Sequence, residues 1–150
     1  MKTLATIGYQ GATIQEVVAA LRDAGVTVLV DVRAVASSRR PGFSKSRLAA
    51  HLEESGIGYV HLRDLGTPAE GRAAARAGRH EDMRRIFAGQ LSMPEAREEL
   101  DRLADLVRSG GRCCLLCFEA DPTHCHRTLV AAALSSLEPV HIRHLAPHGG

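Results

Sequence analysis

The chain has 150 residues, with 19 Lys and Arg against 17 Asp and Glu for a formal net charge of +2, and is 45% hydrophobic and 24% charged. That length suits one domain around a single core, and the composition excludes a disordered or fibrous chain. No stretch of about 18 uninterrupted apolar residues is present, which excludes a membrane-spanning helix; with 3% aromatics and no Trp, the core must be filled by Ala, Val and Leu.

The segment MKTLATIGYQ reaches Gly8, Tyr9 and Gln10 before any apolar run resembles a signal-peptide core, so a cytoplasmic location is expected. Four cysteines, three of them crowded at 113, 114 and 117, make a poor disulfide framework and suit reduced thiols. Basic residues gather at 33–47 and 72–85, and acids at 95–105.

In chain order, TLATIG predicts a first strand ending at Gly8. Thr13 with Glu16 three residues on is a capping box for the helix IQEVVAALRDAG, which Gly25 stops. VTVLVDVR is apolar and β-branched up to its charged end, as a central parallel strand covered on both faces should be. Ser44 is placed to cap KSRLAAHLEES, Gly56 to stop it, and IGYVHL follows as a third strand. Residues 66–92 break this rhythm with short Ala- and Arg-rich helical pieces and are expected to form an insertion or lid. Pro94 opens a helix through EAREELDRLADLVRSGG. RCCLLCFE is a fourth strand, THCHRTLVAAALSSL a last helix and PVHIRHL a fifth strand, with APHGG left as a loose tail. The pattern predicts a single-domain, three-layer α/β/α fold with a mostly parallel sheet of about five strands.

Ligands of such sheets bind beyond the carboxyl ends of the strands, where the crossovers diverge. There the sequence places GYQG, DVRAVASSRRPGFSK, RDLGTP and CFEADPTHCHR. Strand alternation puts Asp31 and Arg33 on one side, opposite Val28, Val30 and Val32. The pair either addresses a site or forms a structural ion pair at the sheet's end. Cys113, Leu115, Cys117 and Glu119 alternate onto one side of the fourth strand and Cys114, Leu116 and Phe118 onto the other. Cys114 and Cys117 therefore diverge, which weakens a zinc-knuckle reading of C-x-x-C, and Cys113 and Cys114 read as small buried hydrophobes.

His124, Cys125, His126 and Arg127 are expected in the first turn of the last helix, where free N–H groups and the helix dipole favour anions and lower a thiol's pKa. Neighbours on a helix diverge by about 100°, so His126 would be a poor base for Cys125, and a hydrogen bond from His126 to Glu119 or Asp31 is expected instead. A metal site from Cys117, His124, Cys125 and His126 has suitable ligand types, but the ligands are split between a strand and one helical turn. GYQG can bring backbone N–H groups near a phosphate. Arg39, Arg40, Lys45 and Arg47 can grip phosphates or form a solvated face.

TIGYQG, VDVRAVASSRRPGFSK, LGTP and LLCFEADPTHCHR, in that order, resemble the successive blocks of domain-of-unknown-function family 488, over about residues 3–145. The resemblance implies a small bacterial or archaeal α/β domain. Carried over residue by residue, it points to Gly8, Tyr9 and Gly11, to Asp31, Arg33, Ser38 and Arg39, and to Cys117, Glu119, Cys125, His126 and Arg127. LVDVR is also similar to an early strand motif of rhodanese-type sulfurtransferases, but FEADPTHC after Cys117 does not form their cradle of small residues.

The expected function is an enzyme, most simply a hydrolase, acting on an anionic, phosphate-bearing substrate of nucleotide or nucleic-acid type. Arg33, Arg39 and Arg127 would bind the anion, while Glu119, Asp31 and His126 would supply acid/base chemistry and Cys125 is a candidate nucleophile. Gly8, Tyr9, Gly11, Ser38 and Cys117 would complete the binding surface. No cofactor, metal or membrane partner is expected. The alternatives are a non-catalytic nucleic-acid-binding or regulatory module, and a thiol or metal site centred on Cys117 and Cys125.

Overall fold

The computed structural model describes residues 1–147, so most of the tail expected at 146–150 lies outside the described residues. Strand β1 runs Lys2–Gly8 and helix α1 Ile14–Asp23. The capping box forms as expected: Thr13 Oγ1 accepts from the Glu16 N–H at 3.1 Å and Glu16 Oε1 from the Thr13 N–H at 2.9 Å. Strand β2 is Val28–Asp31, α2 Lys45–Glu54 and β3 Gly58–His61. Ser44 stands at the N-cap of α2, but its hydroxyl exchanges hydrogen bonds with Ser38, donating to the carbonyl at 3.0 Å and accepting from the N–H at 3.2 Å. It ties the preceding loop instead of capping the helix.

A 3-10 turn at Arg63–Leu65 leads to α3 (Ala69–Arg76), α4 (His80–Leu91) and α5 (Pro94–Arg108), the last with Pro at its start. Strand β4 is Cys113–Cys117, α6 His126–Leu137 and β5 Val140–Leu145.

All pairings are parallel, in the order β3-β2-β4-β1-β5. The crossovers from β1 to β2 and β2 to β3 run in one direction across the sheet, and those from β3 to β4 and β4 to β5 run back. Because parallel crossovers are right-handed, the two sets lie on opposite faces. Ile7, Leu29 and Leu116 accordingly pack with Val17 and Leu21 of α1 and Leu48 and Leu52 of α2. On the other face Leu4, Val30 and Leu115 pack with Leu103 and Val107 of α5 and Val130 and Leu134 of α6. Met83 and Phe87 of α4 are buried in this second layer. Each fully buried Leu or Val contributes about 1.5–3 kcal/mol, so the aliphatic layers supply the burial that the aromatic-poor composition cannot.

Register aligns the strand ends that matter. Asp31 pairs across from Leu116, and Gly8 across from Cys117.

Candidate functional site

Strand β4 lies between β1 and β2, and the chain leaves it toward the face opposite to theirs. The connections therefore part at the carboxyl ends of these three strands, and a crevice opens there. It holds a pocket of about 270 Å³. Arg33 and residues 34, 35 and 37 form one wall, Cys117 to Glu119 another, and His124 and His126 border it from the start of α6. Arg72 and Arg76 of α3 and Met83 of α4 close the remaining side.

Arg33 is held rigidly. Its Nε donates to Asp31 Oδ1 at 2.9 Å, its Nη2 to Asp31 Oδ2 at 2.7 Å and its Nη1 to the Tyr9 hydroxyl at 3.2 Å. Burial alone would lower the guanidinium pKa, but the bonds and charge of Asp31 outweigh it and hold the pKa above its ordinary value. The Asp31 carboxylate accepts two more bonds, from the Arg33 N–H at 3.1 Å and the Tyr59 hydroxyl at 2.6 Å. Burial and that bond to Asp31 raise the Tyr59 pKa. Fully buried and surrounded by donors, Asp31 is the anchor of Arg33 in place of the acid/base group expected. Tyr9, stacked on Phe43 with ring centroids 4.3 Å apart, backs the same guanidinium.

Arg127 was expected to bind substrate and is instead wholly buried. Its Nε donates to Thr6 Oγ1 at 3.1 Å, Nη1 to the Glu119 carbonyl at 2.6 Å and Nη2 to the Ala120 carbonyl at 3.3 Å. Burial lowers its pKa. It stitches β1, α6 and the loop after β4 together.

GYQG does not form a phosphate cradle either. The Tyr9 N–H donates to the Cys117 carbonyl at 3.2 Å and the Gln10 N–H to the Phe118 carbonyl at 2.8 Å, so these amides continue the sheet. A Cβ on Gly8 would collide with the Glu119 carbonyl, so Gly8 is there for close backbone approach. Gly11, at φ 77°, turns the chain toward α1.

Ser38 and Arg39 leave the pocket. With Arg40 and Arg47 they border a separate groove between α1 and α2, because the loop bends to the other face of the sheet after residue 37. Arg40 is further occupied by the Ala12 carbonyl. Of the two expected walls, residues 33–37 and 117–126 border this pocket and residues 38–47 do not.

The second wall departs most from expectation. Asp121 caps a 3-10 turn at Pro122–His124, with its Oδ1 accepting from the Thr123 N–H at 2.9 Å. Cys125 follows as the extended N-cap of α6, at φ −125° and ψ 140°. It is outside the helix, so the divergence expected of helical neighbours does not apply. Its side chain turns to the end of β4, where Cys117 and Cys125 are joined Sγ to Sγ with Cα atoms 7.4 Å apart. The contact sets this pair apart from Cys113 and Cys114, which are free and buried. Burial pushes the Cys113 thiol up to about 11.

His126 Nδ1 lies 3.9 Å from Cys125 Sγ, and Nε2 lies 2.7 Å from the Val32 carbonyl. A carbonyl only accepts, so Nε2 carries the proton and Nδ1 presents a lone pair to the sulfurs. Burial brings the His126 pKa down to about 4, so the ring is neutral at neutral pH. The expected bonds from His126 to Glu119 or Asp31 are replaced by this bond to Val32. Glu119 Oε2 sits 3.6 Å from Cys117 Sγ at the pocket wall. His124 stacks face to face on His80, centroids 3.9 Å apart, away from the sulfurs.

The family model described as "Domain of unknown function DUF488" matches residues 13–134. The chain belongs to this family. The DUF488 match takes in the pocket residues Arg33, Cys117, Glu119 and His126, together with the buried Asp31, Cys125 and Arg127. No curated protein and no solved structure matches the chain.

Arg72, Arg76 and Tyr59 were not singled out from the sequence. A signal for the first two existed in the basic run 72–85; none existed for Tyr59, whose approach to Asp31 follows from the register of β3 against β2.

Proposed function

We propose that the protein is a hydrolytic enzyme for an anionic, phosphate-bearing substrate of nucleotide type, bound in the pocket at the carboxyl edge of the sheet. The observation that carries this reading is that the Glu119 side chain shares one pocket with three arginines, Arg33, Arg72 and Arg76. Arg72 and Arg76 supply the positive charge that draws the anion in. Of the five N–H donors of Arg33, three are spent on Asp31 and Tyr9, and the others remain for a ligand oxygen. Glu119 accepts the proton of the attacking water, its backbone fixed by Arg127. Val35 and Phe118, both exposed at the pocket, offer apolar surface to the substrate's uncharged part.

The test is turnover of a panel of nucleotides and phosphate esters by wild type and Glu119→Gln. The variant should fold normally and lose about 10²–10⁴-fold in kcat, and Arg76→Ala should raise KM. Undiminished turnover in Glu119→Gln would end the reading.

A second reading, nucleic-acid contact without turnover, is favoured by exposed Arg39, Lys45 and Arg47 beside the groove between α1 and α2. It requires that affinity for a labelled duplex fall steeply with salt and be indifferent to Glu119→Gln.

A further inference from the structure

Cys117, Cys125 and His126 are all buried, and one ligand-type atom from each lies within 4.8 Å of the others. We propose that the reduced chain holds one zinc-class divalent cation here, bound by the thiolates of Cys117 and Cys125 and by His126 Nδ1, with its fourth position facing the pocket.

The donor set is the first support. Two sulfurs and an imidazole suit a borderline-soft cation that accepts four ligands, and three protein ligands with one accessible position are the pattern of zinc sites that act on a substrate. Cys117 and His126 both line the pocket, so the remaining position opens where a ligand can reach it.

The surroundings are the second. A metal-binding histidine ordinarily donates its other ring N–H to a fixed acceptor, and His126 Nε2 does this to the Val32 carbonyl at 2.7 Å. Arg127 Nη1 stands 3.4 Å from Cys117 Sγ, and the Arg127 backbone N–H 3.5 Å from Cys125 Sγ, at the N-terminus of α6. A guanidinium and a helix N-terminus are the groups that favour thiolate over thiol. Two thiolates and a divalent cation also cancel in charge, which suits a buried centre.

The span between the cysteines is the third. Their Cα atoms, 7.4 Å apart, lie outside the range of about 4.4–6.8 Å that most disulfides bridge, so in the reduced pair rotation of the two side chains can part the sulfurs and admit an ion between them. Opening the Sγ–Sγ bond takes two electrons and two protons from a dithiol, which leaves as its own disulfide. The cation then displaces the two thiol protons. Binding and oxidation are therefore mutually exclusive states of one pair.

The proposal is independent of the hydrolytic reading, because it is measured without substrate. The full chain, reduced and kept anaerobic, is freed of metal and titrated with Co²⁺ and then Zn²⁺. One equivalent of Co²⁺ should produce a thiolate-to-cobalt charge-transfer band that Zn²⁺ abolishes. Cys125→Ser should remove the band, His126→Asn should weaken zinc binding by at least about 10–100-fold, and Cys113→Ser should change nothing. No saturable band in wild type, or the same band in Cys125→Ser, overturns the proposal. A measurement on wild type alone guards against misfolded variants: alkylation mapped by mass spectrometry should be slowed by Zn²⁺ at both Cys117 and Cys125, and equal rates with and without Zn²⁺ overturn the assignment.

Discussion

Asp31 and Arg33, two residues apart at the end of a central strand, grip each other through both carboxylate oxygens, with Nη2 2.7 Å from Oδ2 and Nε 2.9 Å from Oδ1. Both are buried. Removing one partner of such a pair strands the other charge, at a cost of about 3–5 kcal/mol. Asp31→Asn is expected to lower stability by that amount in urea unfolding. Asp31→Asn combined with Arg33→Met should recover part of the loss while abolishing anion binding.

Gly8 makes a different demand. The space its Cβ would need is taken by the Glu119 carbonyl, a backbone atom that cannot swing aside. Gly8→Ala should therefore destabilise by at least about 1–3 kcal/mol and displace the loop that carries Glu119. Its melting temperature would fall, and backbone amide shifts would change at 118–120 more than elsewhere.

Arg127→Met keeps the apolar stem and deletes the donors to the Glu119 and Ala120 carbonyls. An acceptor left without a partner where water cannot reach it costs about 1–3 kcal/mol, and these carbonyls are partly buried. The expected outcome is a lower unfolding midpoint with faster hydrogen exchange at 119–121. An unchanged midpoint would show that water replaces the guanidinium without loss.

The thiols should divide into two classes. Burial raises the pKa of both Cys113 and Cys114, that of Cys113 to about 11, so neither is ionised near neutral pH. Cys117 and Cys125 are also buried but lie beside the Arg127 guanidinium and the start of α6. In the native, reduced and metal-free protein at pH 8, iodoacetamide should therefore label them faster than Cys113 and Cys114, and all four at similar rates in denaturant. Labelling of Cys113 as fast as Cys117 at native pH 8 would contradict this division.

The local rules carried the fold far. Thr13 and Glu16 announced α1, Pro94 announced α5, and the β-branched run ending at Asp31 announced a central strand. The alternation that put Asp31 and Arg33 on one side holds as well. What failed were readings that depend on contacts distant in sequence. Arg127 looked like a free cation at a helix start, because nothing local shows that β1 and the loop after β4 converge on it. The geometry of Cys125 turned on one local detail, the capping of the 122–124 turn by Asp121, which delays the helix to His126 and frees Cys125 to face β4. Arg72 and Arg76 needed the docking of α3, which short Ala-rich helices do not announce.

The strand order has a consequence for how the protein is made. β1 pairs only with β4 and β5, which begin at Cys113 and Val140. As the chain leaves the ribosome, β1, which ends at Gly8, must wait for synthesis to reach Cys113 before either edge is covered. During that wait an apolar segment is open to chaperones and to neighbouring nascent chains, and no fragment ending before β4 can close the sheet. The pocket, built on β4 and α6, comes into being only once both have been made.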